Sequence, residues 1–111
     1  MHRNRLVVLA VVSAFAAGGT GWLARADTKP PAGDAAKGAQ LFVAEGCGWC
    51  HSSGGRTAGK GPQLADTKRD DNFIIFRITN GKEGAMPAFG TALKQAQIAD
   101  LIADIRSLKP Q

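Results

Sequence analysis

Cysteine, histidine and methionine are scarce in this chain of 111 residues, at two of each, and tyrosine is absent. Cys47 and Cys50 with one nearby histidine fall short of the four ligands that a structural zinc site takes. A disulfide across two intervening residues is strained and closes almost no loop. No segment alternates apolar and polar residues as a half-buried strand does, and no internal repeat is present. What remains reads as an all-α domain. Beyond residue 25 no run is long and apolar enough to span a membrane.

The formal net charge of +5 overstates the basicity of the folded part. Arg3, Arg5 and Arg25 lie in a segment laid out as an export signal: a basic start, an apolar run over 6–17, and Ala24-Arg25-Ala26 as a small-x-small cleavage site. Cutting after Ala26 leaves 11 basic against 9 acidic residues, a net +2. That balance gives nucleic-acid binding no electrostatic foundation. Retention of 6–23, which is free of charge, as a membrane anchor is the alternative fate. In either case the rest is expected on the far side of the inner membrane, in the periplasm.

The mature chain is large enough for one domain, yet marginal for a core built from side chains alone. Residues 27–33, with Pro30 and Pro31 adjacent, form an exposed leader that cannot be helical. The domain spans 34–111. Asp34 is placed to cap a first helix over 35–45, with Gly38, Leu41 and Phe42 on neighbouring faces and Gly46 as its stop. A Ser/Gly/Thr-rich loop covers 52–61. Asp70 or Asp71 caps the run 72–79, which Asn80-Gly81 ends; the pattern alone leaves helix and buried strand unresolved, the acidic cap favouring helix. In the last element Ile98, Leu101, Ile102, Ile105 and Leu108 share one helical face, with Gln97, Asp100 and Asp104 on the other. It stops before Pro110. Its start lacks an obvious cap, with Lys94 and Gln95 where Ser or Asp is expected, and Thr91 is the candidate.

Cys47-Gly48-Trp49-Cys50-His51 carries the chemistry. Residues three and four apart share a helix face, so one turn aims two thiols and an imidazole at one object. This is the attachment pattern of c-type haem, in which the sulfurs bond the vinyl groups and the histidine meets the iron. A thioredoxin-like redox pair would use the same cysteines but needs a strand and helix context that is missing here.

For a sixth ligand, Met86 is the one methionine and His51 the one histidine of the mature chain. Methionine is often plain core filler. Met86, however, lies in Gly84-Ala85-Met86-Pro87-Ala88-Phe89-Gly90, which does not pattern as core helix, and Pro87 biases it away from helical geometry. A thioether on iron raises the reduction potential and favours electron transfer.

Taken together, Cys47 to His51, then Gly61-Pro62-Gln63-Leu64, then Met86-Pro87-Ala88-Phe89, then the amphipathic stretch 98–108 resemble a class I cytochrome c of the short bacterial, monohaem type, over 34–108. The resemblance implies a cytochrome c-like fold of about three to five short helices wrapped around one covalent haem c and its iron. It implies that the Pro62 carbonyl accepts the second N–H of His51, as a ligating imidazole requires, and that Leu64 packs on the haem face. It further implies a crossing of first and last helices through Gly38 and Phe42 against Leu101 and Ile105. Asp104 stands where the family commonly has an aromatic, so that contact should be smaller or shifted.

The site residues expected are therefore Cys47, Cys50, His51, Pro62, Leu64 and Met86, with His51 and Met86 on the metal and no catalytic residue. With both axial positions filled, the function implied is single-electron transfer by a monomer between redox proteins. A quinoprotein dehydrogenase as donor and a terminal oxidase as acceptor are expectations from the resemblance only. No small-molecule substrate is expected, nor membrane contact except through an uncleaved signal. Lys60, Lys68, Arg69, Arg56 and Lys82 could frame the haem edge and steer it towards an acidic partner. The alternatives are a haem subunit of a larger oxidoreductase, and a peroxidase or gas-binding protein with a labile sixth ligand.

Overall fold

The structure, a computed structural model, describes residues 18–19 and 32–111. The export signal and most of the leader lie outside the described residues.

Asp34 caps the first helix as expected. Its carboxylate accepts the N–H of Lys37 at 3.1 Å and caps α1, Ala35–Ala44. Gly46 follows at φ 74, the left-handed geometry that ends a helix. The segment 72–79 is helical: α2 runs Asp71–Asn80, with the Asp70 carboxylate accepting the N–H of Phe73 at 2.7 Å. Asn80-Gly81 is thus a helix end and not a hairpin, with Gly81 at φ 67. This helix buries Ile74 and Ile78.

The last helix, α3, runs Gln95–Ser107. Thr91 does not cap it. Lys94 takes that position, and its backbone N–H is accepted by the side-chain carbonyl of Gln97 at 2.8 Å. Gln97, at the third helical position, thus reaches back to satisfy the N–H of the cap residue, while its own N–H goes to the Lys94 carbonyl at 3.0 Å. Two short 3-10 turns, Cys47–Trp49 and Ser53–Gly55, complete the elements; among the described residues there are no strands, only an isolated bridge between Lys82 and Met86. The all-α expectation holds.

Helix α1 packs across α3, and this is the main helix contact. Phe42, Leu101 and Ile105 join one buried cluster with Ile74, Ile78 and Leu93. At Gly38 the two backbones nearly touch: a β-carbon there would collide with the Asp100 carbonyl and stand 2.9 Å from the β-carbon of Asp104. Asp104 is consequently not on the solvent face, as its position in the pattern suggested, but 7% exposed. It occupies the crossing in place of an aromatic, opposite a residue with no side chain. Burial pushes its carboxyl above the ordinary value, and the charge of Arg56 offsets part of that. Asp100, one turn earlier, accepts the Asp34 N–H at 2.7 Å and ties the start of α1 to α3.

Candidate haem site

Between α1, the Cys47–Trp49 turn, α2, α3 and the loop before α3 lies a cavity of about 1060 Å³. Its apolar walls include Phe42, Phe73, Ile74, Leu93 and Leu101, and Cys47, Cys50, His51, Pro62, Leu64 and Met86 all open onto it. Every site residue expected from the sequence thus meets at one cavity.

The cysteine turn is set by local hydrogen bonds. The N–H groups of Cys50 and His51 both reach the Cys47 carbonyl, at 3.3 and 3.0 Å, closing the single helical turn that the spacing demands. Both thiols are free and half-buried. Burial raises the Cys47 thiol above its ordinary pKa, the backbone at Cys47 itself offsets some of this, and the charge of Glu45 adds to it. A redox-active pair has the opposite property, since disulfide exchange needs a populated thiolate. Among the described residues no cluster of acidic, Cys and His side chains is arranged to hold a metal ion by itself.

His51 is nearly buried, and its Nδ1–H donates to the Pro62 carbonyl at 2.7 Å. A carbonyl can only accept, so the proton is fixed on Nδ1 and the lone pair of Nε2 is left for a metal. The loop reaches the ring because residue 61 is glycine: a β-carbon there would lie 2.7 Å from Cε1 and 2.9 Å from Nδ1 of His51. The Gly61 N–H in turn donates to the Cys50 carbonyl at 2.8 Å, so the cysteine turn and the proline loop hold each other. Leu64 is placed by its N–H bond to the Gly55 carbonyl at 2.9 Å, and packs on the buried cluster.

Met86 is half-buried and fixed by two backbone bonds with Lys82, each 2.8 Å. The loop closes against the end of α2 at Gly81, where a β-carbon would collide with the Met86 carbonyl. Of the basic residues considered for docking, Lys60, Arg69 and Lys82 line the cavity, whereas Lys68 and Arg56 do not. Arg77 lines it too, and the sequence reading missed it because it sits among apolar residues of an ambiguous segment.

The donor set fits a haem: two free thiols and an oriented imidazole on one turn, and a thioether on the wall of the same cavity, whose volume lies at the upper end of ligand pockets. Residues 33–103 match the family described as cytochrome C oxidase, cbb3-type, subunit III. This chain belongs to the class I cytochrome c family. It is 36% identical to cytochrome c6 of Picosynechococcus sp., over 90% of this chain and 86% of the relative. It is 37% identical to cytochrome c6 of Gloeothece citriformis over 86% of each, and 42% identical to that of Leptolyngbya boryana over 59% of this chain and 81% of the relative. No solved structure matches significantly. The cofactor of this cytochrome is haem c with its iron, covalently bound, and its role is that of a monohaem electron carrier and not of an enzyme.

Proposed function

We propose that this cytochrome is an exported single-electron carrier whose iron is held by His51 and Met86 and whose porphyrin is bonded to Cys47 and Cys50. The observation that carries the proposal is the 2.7 Å bond from His51 Nδ1–H to the Pro62 carbonyl, beside two free thiols, at a cavity that Met86 also lines. When bound, the haem iron gains and loses one electron. The chain's own residues orient His51, keep it basic through Pro62, and exclude water with Leu64, Phe42 and the apolar walls. Two protein ligands would leave no open iron position for a substrate, in keeping with a carrier.

In this proposal residues 1–26 direct export to the periplasm and are removed, and the partners are larger redox proteins there: a quinoprotein dehydrogenase as donor and a terminal oxidase as acceptor. Among the described residues no helix is long and apolar enough to cross a membrane. A second reading, as a haem subunit within a larger oxidoreductase, is favoured by the match to an oxidase subunit family.

Reduced-minus-oxidised spectroscopy and intact mass of the exported product test the core of the proposal. A low-spin haem c spectrum with a Met–iron charge-transfer band, and a mass equal to residues 27–111 plus one haem, are expected. A colourless product with two free thiols would sink it. Co-purification with a membrane complex at fixed stoichiometry would favour the subunit reading.

A further inference from the structure

Among the described residues Trp49 is the most exposed large apolar side chain, at 88%, and Val43 follows at 79%. Single apolar residues are ordinary on a protein surface. These two are not scattered: Val43 leaves the last turn of α1, Trp49 belongs to the cysteine turn, and both line the mouth of the cavity together with the exposed Ala44. The indole is not packed into the fold. It lies beside Gly46, where a β-carbon would stand 3.7 Å from its Cδ1, and the rest of the ring is open to water.

Charge decides what such a patch can face. Glu45 precedes it, and Lys60 is brought to it by the 2.8 Å bond from the Gly61 N–H to the Cys50 carbonyl, so one charge of each sign borders the indole. The other cations of the cavity come from α2 and its flanks: Arg69 and Arg77 lie 4.3 and 5.2 Å from the centroid of the Phe73 ring, and Lys82 follows α2. An acidic surface would be drawn to that wall. The Trp49 side offers apolar area with no net field, and its complement is uncharged.

We propose that Trp49, with Val43, is the contact through which this cytochrome meets a one-electron redox protein that presents an uncharged, apolar surface over its own redox centre. This rests on the haem reading above and adds to it the contact residue and the character of the partner. Trp49 is joined to Cys50 by one peptide bond and stands two residues after Cys47. With both sulfurs bonded to the porphyrin, a short unbroken run of covalent bonds leads from the porphyrin edge to a ring at the surface, and electronic coupling weakens steeply with separation. In each encounter one electron passes between the iron and the partner's centre, one oxidised as the other is reduced. Trp49 keeps its own electrons and supplies contact and the exclusion of water. A large, rigid, amphipathic ring is the side chain best suited to anchor a small interface, and an interface this small releases its partner readily, as a carrier must after each electron.

The test places the matured holoprotein on gold electrodes coated with methyl-terminated or carboxylate-terminated alkanethiol monolayers, the first standing in for an uncharged apolar partner surface and the second for an acidic one. Film voltammetry reads how much protein is held in electrical contact and how fast electrons cross. On the methyl surface Trp49→Ser should bind about tenfold more weakly or worse and exchange electrons several-fold more slowly, at an unchanged midpoint potential. Phe76→Ser, which removes an exposed aromatic outside the cavity, should behave as the parent. On the carboxylate surface Trp49→Ser and the parent should agree. A Trp49→Ser variant that matches the parent on the methyl surface, or an equal loss from Phe76→Ser, overturns the contact while an intact haem c spectrum leaves the haem reading standing; a wild type without thioether-bound haem ends both. If Trp49→Ser fails to mature, hydrogen exchange of the wild type adsorbed on methyl-terminated beads decides. Added protection centred on 43–50 supports the contact, and its absence there overturns it.

Discussion

Gly61 lies flat against the imidazole of His51, with space for no more than its hydrogen atoms: a β-carbon would stand 2.7 Å from Cε1 and 3.2 Å from Nε2. The Pro62 carbonyl can meet Nδ1–H only because this face of the ring is open to backbone. Gly61→Ala must push the loop or the ring aside, which by analogy with overpacked cores costs about 1–3 kcal/mol. We expect a lower denaturation midpoint and a lower reduction potential of the holoprotein, read by chemical denaturation and by voltammetry; a variant unchanged in both would show that the contact does not position the histidine.

Met86→Ala removes the thioether and leaves the cavity wall otherwise intact. The reduced variant should take up carbon monoxide rapidly and stoichiometrically, where the parent is slow or inert, and its potential should drop because the sulfur ligand favours ferrous iron. Stopped-flow uptake at neutral pH checks this. Rapid uptake by the parent itself would instead support a gas-binding role.

Asp104 carries a pH dependence whose direction follows from its burial. A carboxyl whose folded pKa is raised binds its proton more tightly in the native state, so its contribution favours folding in acid and is lost as pH rises through the raised value. Asp104→Asn should therefore raise the Tm at pH 7 and have little effect near the ordinary carboxylate range. Thermal scans of both proteins from acid to neutral pH check this, and a gain that grows towards acid would contradict it.

Arg106 staples the end of α3 to the residues leading into α2. Its guanidinium donates to the Thr67 carbonyl at 3.2 Å, the Arg69 carbonyl at 2.7 Å and the Asp71 carboxylate at 2.7 and 3.1 Å. The side chain is 38% exposed, so solvent screens the ion pair. Arg106→Ala should cost about 1–2 kcal/mol, mainly through the loss of its two charge-assisted bonds to backbone carbonyls. Because Thr67 and Arg69 line the cavity, hydrogen exchange over 67–71 should accelerate while the cysteine turn stays protected.

Most of the site was legible because its parts are local. The cysteine turn needs one helical turn, which spacing alone dictates, and the caps at Asp34 and Asp70 use side chains three residues from the N–H groups they satisfy. Met86 was reached by exhaustion of soft ligands together with Pro87. The segment 71–80 stayed ambiguous because a short apolar run satisfies helix and buried strand alike; its packing against the shared core decides for helix.

Asp104 was misplaced for a related reason. It stands three residues after Leu101 and one before Ile105, at the margin of the apolar stripe, so periodicity puts it at the solvent side. Only the approach of α1 at Gly38 widens the buried arc to include it. The start of α3 depends likewise on a side chain reaching backwards, from Gln97 to Lys94, which no cap preference at the first position reveals.

What the residues by themselves determine here is the covalent chemistry and the helices, since both rest on groups within a turn of one another along the chain. Which cations share the cavity, and which carboxylate is buried at the helix crossing, is decided only when distant segments pack. Arg69, Phe73 and Arg77 become one group, and Gly38 and Asp104 one contact, because desolvation and close approach are properties of neighbours in space and carry no mark in the order of residues.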